Sequence, residues 1–381
     1  MTTNPLNGQA IQPAIAPSLA LPPPVVDDRI PELDGIRGVA ILMVLVWHFL
    51  VFNIPHVPGT FSAYLFKSLH NFYSGVDLFF VLSGYLISRI LLTTLRTKNG
   101  LKRFWIRRSF RILPTYAIWL FVVLLLAFVF HIPAPSAYDA PPRVWPYFLF
   151  LQNFDMAVFN NLGNWGISWS LAVEEQFYLL LPFILLAGAW RRPLILFCSG
   201  LLLSSALRFW GDTTALSHFT LLPYRLDGFA AGGIIACLSL SPKWLAIIRQ
   251  YKLLPKVLAG IGVVGLVLIT IRKDQRLPYD HTVFAFAYAA LLLLCVSGQG
   301  GFIAAAMRWG WLRFLGIISY PLYLFHELIK LLIVANFPKN AESWTLLISA
   351  MMASIFFAWA MHKWFGEPMH NYGRRLAKRF G

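Results

Sequence analysis

From about residue 35 onward the chain alternates long apolar runs with short polar breaks. AIWLFVVLLLAFVF (117–130), VLAGIGVVGLVLITI (257–271), TVFAFAYAALLLLCV (282–296) and TLLISAMMASIFFAWAM (345–361) are examples. Each approaches the roughly 20 apolar residues that carry a helix across a bilayer. None shows the short alternating segments of a membrane β-barrel. The pattern predicts an all-α fold, a polytopic membrane helix bundle with spans at about 35–54, 72–92, 112–131, 168–189, 193–210, 224–240, 256–271, 281–297, 312–332 and 344–364.

WPYFLFLQNFDMAVF (145–159) is too short and too interrupted, by Gln152, Asn153 and Asp155, to read as an eleventh span. It is expected to be re-entrant or interfacial. Charge supports that count. The connector TLRTKNGLKRFWIRRSFR carries seven basic residues and belongs in the cytoplasm. Ten spans then also put Arg191, Arg192, Lys243, Arg249, Lys252, Lys256, Arg308, Arg374, Arg375, Lys378 and Arg379 inside, whereas eleven would send them outside. Both termini are therefore expected in the cytoplasm. Residues 1–28 read as a flexible cytoplasmic tail, 29–368 as the membrane domain and 369–381 as a basic cytoplasmic tail. The first 28 residues lack the positive start of a signal peptide, so the first span is expected to direct insertion.

Composition agrees and adds little. The chain is 58% hydrophobic and 13% charged, with mean hydropathy +0.64. Its net charge of +16 is concentrated in the loops and the C-terminus, which suits anionic lipid headgroups rather than nucleic acid. Cys198, Cys237 and Cys295 form no CxxC pair and no metal-like cluster, so no metal is expected.

The informative residues are polar ones inside apolar runs, which cost about 2.5–3.5 kcal/mol each on insertion scales. His48 follows Arg37 by eleven residues, about 16 Å along a helix and within about 20° of the same direction. Asp77 lies near the outer end of the second span. Ser170, Glu174 and Tyr178 share a face in the outer half of the fourth. Arg225 and Asp227 open the sixth; Tyr323, His326 and Glu327 fall in the outer half of the ninth. His48, Asp77, Glu174 and His326 are thus expected in one depth band, above a cytoplasmic cluster of Arg37, Arg107, Arg108 and Arg111. Blander readings exist for each: a helix-bridging histidine, ordinary positive-inside charge, or a glutamate pairing with Arg225.

At these residues the chain resembles the membrane acyltransferase-3 family of bacterial O-acyltransferases. The resemblance rests on Arg37 with His48, GVDLFFVLSGYLIS, FWIRRSFRILPTY, WSLAVEEQFYLLLP, YRLDGFAAG, SYPLYLFHE and the closing FGEP, in order along the membrane region. It implies an acyl-coenzyme A donor, most often acetyl, and a carbohydrate or glycolipid acceptor, with membrane lipids and polysaccharide-assembly proteins as further partners. No permanently bound cofactor is implied. The chain ends soon after the last span, so the hydrolase-like extracytoplasmic domain of some members is not expected.

With that donor, Arg37, Arg107, Arg108 and Arg111 become candidates for its phosphates, since guanidinium forks suit such groups. His48 becomes the candidate base for the acceptor hydroxyl, oriented by Glu174 or Asp77, or else a transient acyl carrier. Tyr323, His326, Arg225 and Ser170 are assigned to the acceptor. A transporter of a polysaccharide precursor or small solute is the rival reading; evident inverted repeats, which would favour it, are lacking.

Overall fold

The computed structural model describes residues 30–51, 65, 68–130, 143–160, 162, 165–211, 216–272, 277–337 and 343–380, and these contain helices and no strand. The expected tail at 1–28 lies outside them. The long helices are α1 (Pro31–Val46), α2 (Gly75–Thr94), α3 (Gly100–Phe128), α4 (Gln152–Val158, short), α5 (Ser168–Leu186), α6 (Pro193–Trp210), α7 (Leu222–Leu240), α8 (Leu254–Ile271), α9 (Asp280–Val296), α10 (Gly310–Asn336), α11 (Trp344–Met361) and α12 (Glu367–Lys378). Among the described residues, nine helical stretches are long and apolar enough to cross a membrane. They become ten if α9 and the Gly301–Met307 helix, bent 92° from it, form one span. This agrees with the ten spans expected.

Two boundaries matter for the site. α1 begins at Pro31, with Glu32 and Asp34 in its first turn, where a proline needs no hydrogen-bond donor and acids meet the positive helix end. It closes in a π turn, Trp47–Val51, that contains His48. The connector after α2 is much shorter than predicted. Asn99, in the left-handed region (φ 55°), is the residue before the next helix, so the RFWIRRSFR stretch, expected ahead of the third span, is the first part of α3.

The 145–159 segment forms no helix long enough to cross a membrane. It folds as a turn at Trp145–Phe148 and as α4, and the polar residues that interrupt it hold it in place. Gln152 Nε2 donates to the Ser168 carbonyl (3.0 Å), Asn153 Nδ2 to the Thr220 carbonyl (3.0 Å), and Gln176 Nε2 to the Phe150 carbonyl (2.8 Å).

Small residues set the central packing. α2 crosses α7 so closely that a Cβ on Gly232 would strike the Val81 carbonyl and one on Gly84 the Phe229 carbonyl. Close backbone approach through small residues is how helices associate in lipid, where no hydrophobic force drives them together. Stacked rings of Phe80, Phe229 and Phe177, with centroids 4.6 and 4.3 Å apart, fill the space beside this crossing. The α2 and α7 stretches are 61% buried within the protein, whereas α6 and α8 are 17% and 11% buried and form the rim. Gly232→Val is therefore expected to push α2 and α7 apart and cost about 1–3 kcal/mol or more. A lower yield of monodisperse protein in detergent would show it; an unchanged elution profile and melting temperature would refute the close-contact account.

Candidate active site

The arginines of α3 reach a pocket between α2, α3, α5 and α10 that encloses about 930 Å³ of empty space, counting its open side. Arg37, Arg108 and Arg111 line it, with Ser83, Glu174 and Tyr178 opposite. Because α3 is helical here, Arg108 and Arg111 lie three residues apart on one face. Arg107 is exposed and outside this lining.

Glu174 is the acidic centre of the pocket. The Arg108 guanidinium lies 3.3 Å from its Oε1 and 3.7 Å above the Tyr178 ring. Ser83 and Tyr178 both donate to the same oxygen. Three donors on one carboxylate oxygen hold it as an acceptor and keep the arginine fork fixed against it. Arg37 lies 3.4 Å from Asp34. At one end the lining includes Ser170 and Tyr323: the Tyr323 hydroxyl donates to the Ile167 carbonyl (2.9 Å) and is 2.6 Å from Ser170 Oγ.

Tyr323 also borders the second cluster, its ring centroid 5.9 Å from that of His326. His48 and His326 meet edge to face, with centroids 5.0 Å apart. His48 Nδ1 lies 2.9 Å from the Val44 carbonyl, and His326 Nδ1 lies 2.7 Å from the Tyr323 carbonyl. A carbonyl only accepts, so each Nδ1 carries the proton in the neutral ring and each Nε2 keeps its lone pair. The carboxylate beside them is Glu327, whose Oε1 is 3.8 Å from His326 Nε2. Lys330 Nζ lies 2.8 Å from Glu327 Oε2 and donates to the His48 carbonyl at 3.1 Å. Ligand atoms of His48, His326 and Glu327 fall within 4.8 Å of one another, a donor set that the sequence-based expectation of no metal did not foresee. The Lys330 ammonium already supplies a cation to that carboxylate.

The predicted depth band thus resolves into separate groups. His48 and His326 come together, but the two carboxylates assigned to orient His48 are engaged elsewhere. Glu174 is bound into the arginine pocket. Asp77 pairs with Arg225 at 2.7 Å, their side chains 3% and 1% exposed, and with His281 at 3.2 Å. Arg225, assigned to the acceptor, is buried between Phe80, Trp169 and Phe219, each ring centroid 5.4 Å from its guanidinium carbon. Its partner is Asp77 rather than a glutamate of α5. Next to it, Arg208 pairs with Asp227 at 2.6 Å. These charges sit between apolar helices, where an ion pair persists only with its partner present.

Sequence reasoning placed Glu327 in the outer half but gave it no role, and gave Lys330, Ser83 and His281 none. The signal for the first two was an acid and a base three residues apart on one face of an otherwise apolar helix. Ser83 lies within the GVDLFFVLSGYLIS motif but nothing local gives its partner, and nothing local marks His281; the partners are 91 and 204 residues away.

The acyltransferase domain family model matches residues 30–363. Among curated proteins, the chain is similar to the peptidoglycan O-acetyltransferase OatA of Listeria monocytogenes, 28% identical over 332 residues, which cover 78% of this chain and 49% of that protein. It is also similar to the O-acetyltransferase OatA of Staphylococcus aureus, 27% identical over 361 residues and covering 86% of this chain and 56% of that one. A third relative is Bacillus subtilis YrhL, provisionally named a peptidoglycan O-acetyltransferase, 28% identical over 92% of this chain and 56% of its own length. The chain spans about half the length of these curated relatives. No solved structure matches.

Proposed function

The chain belongs to the acyltransferase-3 family, and from that membership we propose that it moves an acetyl group from acetyl-coenzyme A to a hydroxyl of a cell-surface carbohydrate, across the inner membrane. The observation that carries this reading is one side chain. Tyr323 borders both the arginine-lined pocket and the His48–His326 pair. A donor held by its phosphates at the arginines would direct its thin pantetheine arm along the pocket, towards the imidazoles. With the positive-inside orientation the donor enters from the cytoplasm and the acceptor from the other face.

In the proposed step His48 Nε2 takes the proton of the acceptor hydroxyl while its oxygen bonds to the thioester carbonyl carbon. The carbon–sulfur bond then breaks, and the proton passes from the imidazole to the departing thiolate. Glu327 and Lys330 hold the electrostatics of the pair, and Tyr323 with Ser170 orients the reacting groups. Two of the three relatives carry peptidoglycan in their names, so it is the first acceptor to test; a lipid-linked oligosaccharide is the second.

Purified protein incubated with labelled acetyl-coenzyme A and peptidoglycan fragments is expected to release coenzyme A and to label the glycan at oxygen. Absence of thioester consumption with every carbohydrate tried would favour transport instead. Arg108→Ala is expected to raise KM for acetyl-coenzyme A about tenfold or more, through loss of a charge-assisted contact. Unchanged donor kinetics would remove Arg108 from the donor site.

A further inference from the structure

The last helix is packed onto the same part of α3 that carries the site arginines. α12 continues α11 through a π turn, His362–Gly366, and packs along the beginning of α3. Gly373 lies so close to Phe110 that a Cβ there would collide with its side chain, and the Tyr372 and Phe110 rings are 5.3 Å apart. Lys102 Nζ sits 3.7 Å over the Phe380 ring, and Asn99 Nδ2 donates to the Phe380 carbonyl at 3.2 Å. The segment expected as a basic tail is therefore a docked amphipathic helix, fixed at several points along α3.

Docking brings basic side chains together. His370 lies within electrostatic reach of Arg107, Arg111, Arg374 and His362, and Arg111 in turn of Arg37 and Arg108. Arg111 thereby joins the pocket to the last helix, and Arg107, which faces away from the pocket, falls on this track. Four acids are near: Asp34, Glu174 and Glu175 at the inner end of the track, and Glu367 beside His362. His370 Nδ1 is buried without a hydrogen-bond partner. Arginines outnumber the acids along this row, which attracts an anion with several oxygens.

We propose that α12 supplies the outer half of a phosphate-binding track, with His370 and Arg374 gripping a phosphate group whose bearer reaches into the pocket along Arg111 and Arg108. The bearer is taken to be the nucleotide end of a coenzyme A thioester, which rests on the functional reading above; an anionic lipid headgroup offers the same chemistry from another source.

The test is a binding titration of the full-length protein and a His370→Ala/Arg374→Ala variant, in nanodiscs of zwitterionic lipid and again with anionic lipid. The ligands are coenzyme A, dephospho-coenzyme A and pantetheine. The variant is expected to lose about tenfold in coenzyme A affinity in zwitterionic discs, to lose less for dephospho-coenzyme A, and to leave pantetheine unchanged. Unchanged turnover of acetyl-pantetheine, which has no nucleotide, reports that the variant is folded. Equal coenzyme A affinity in variant and wild type overturns the proposal, and so does a loss seen only with anionic lipid present. Failure of the wild type itself to bind coenzyme A would instead strike the acetyl-transfer reading.

Discussion

His48→Ala protein is expected to insert, fold and bind donor like the wild type, yet to transfer acetyl about 100- to 10,000-fold more slowly. The range is that of a general base removed from a proton-transfer step. His48 Nδ1 bonds a carbonyl of its own helix, but its ring also meets His326 of α10, so the melting temperature is measured beside the rate. The result separates chemistry from architecture. A variant that keeps wild-type kcat removes His48 from the reaction, whatever its position. Glu327→Gln makes a graded companion: it keeps the size of the side chain, removes the charge beside the two imidazoles and loosens Lys330. A shifted pH profile of kcat, with KM for donor little changed, is expected. A KM effect alone would place Glu327 in binding.

Arg225→Ala is expected to be the most damaging change to the fold. The substitution strands the Asp77 carboxylate in a site that is 3% exposed, and breaking a buried pair from one side costs about 3–5 kcal/mol. That is a large share of the stability of most domains. The measurement is the melting temperature and monodispersity of detergent-solubilised protein, beside Asp77→Asn and the double variant. The double variant is expected to recover part of the loss, since it leaves neither charge alone. If Arg225→Ala melts like the wild type and fails only in acceptor use, the residue returns to the substrate-binding role that its sequence context suggests.

The contrast between these two residues shows what was legible in advance. The helical bundle, its approximate number of spans and the broken 145–159 segment follow from one-dimensional pattern, because lipid forces every span to be apolar. Arg37 and Arg108 reach one pocket, and His48 meets His326; each pair comes from a group that depth places together. Depth alone could not tell which charges satisfy each other. Asp77 and Arg225 stand 148 positions apart, and only the glycine-tight crossing of α2 on α7 brings them together. The same holds for Glu174, whose hydrogen bonds to Ser83 on α2 and Arg108 on α3 follow from tertiary packing rather than from its own helix. The start of α3 is expected near residue 112, whereas the helix begins at Gly100, for a different reason. The charge density of RFWIRRSFR reads as an aqueous connector, yet arginine is a good helix former and its long stem lets the charge reach water from a helix end.

The uneven helix lengths bear on the surrounding lipid. The rim helices α6 and α8 have 18 residues each, about 27 Å, slightly less than a hydrocarbon core of about 30 Å; α3 has 29 residues, about 44 Å. On the short flank, acyl tails must compress or the helices must stand upright along the membrane normal. On the long flank, α3 must tilt or project into the aqueous phase. Bilayer thickness is thus a mechanical load applied asymmetrically to the bundle. Activity in discs of graded chain length is expected to peak where the short flank is matched, and to fall in thicker membranes that stretch it.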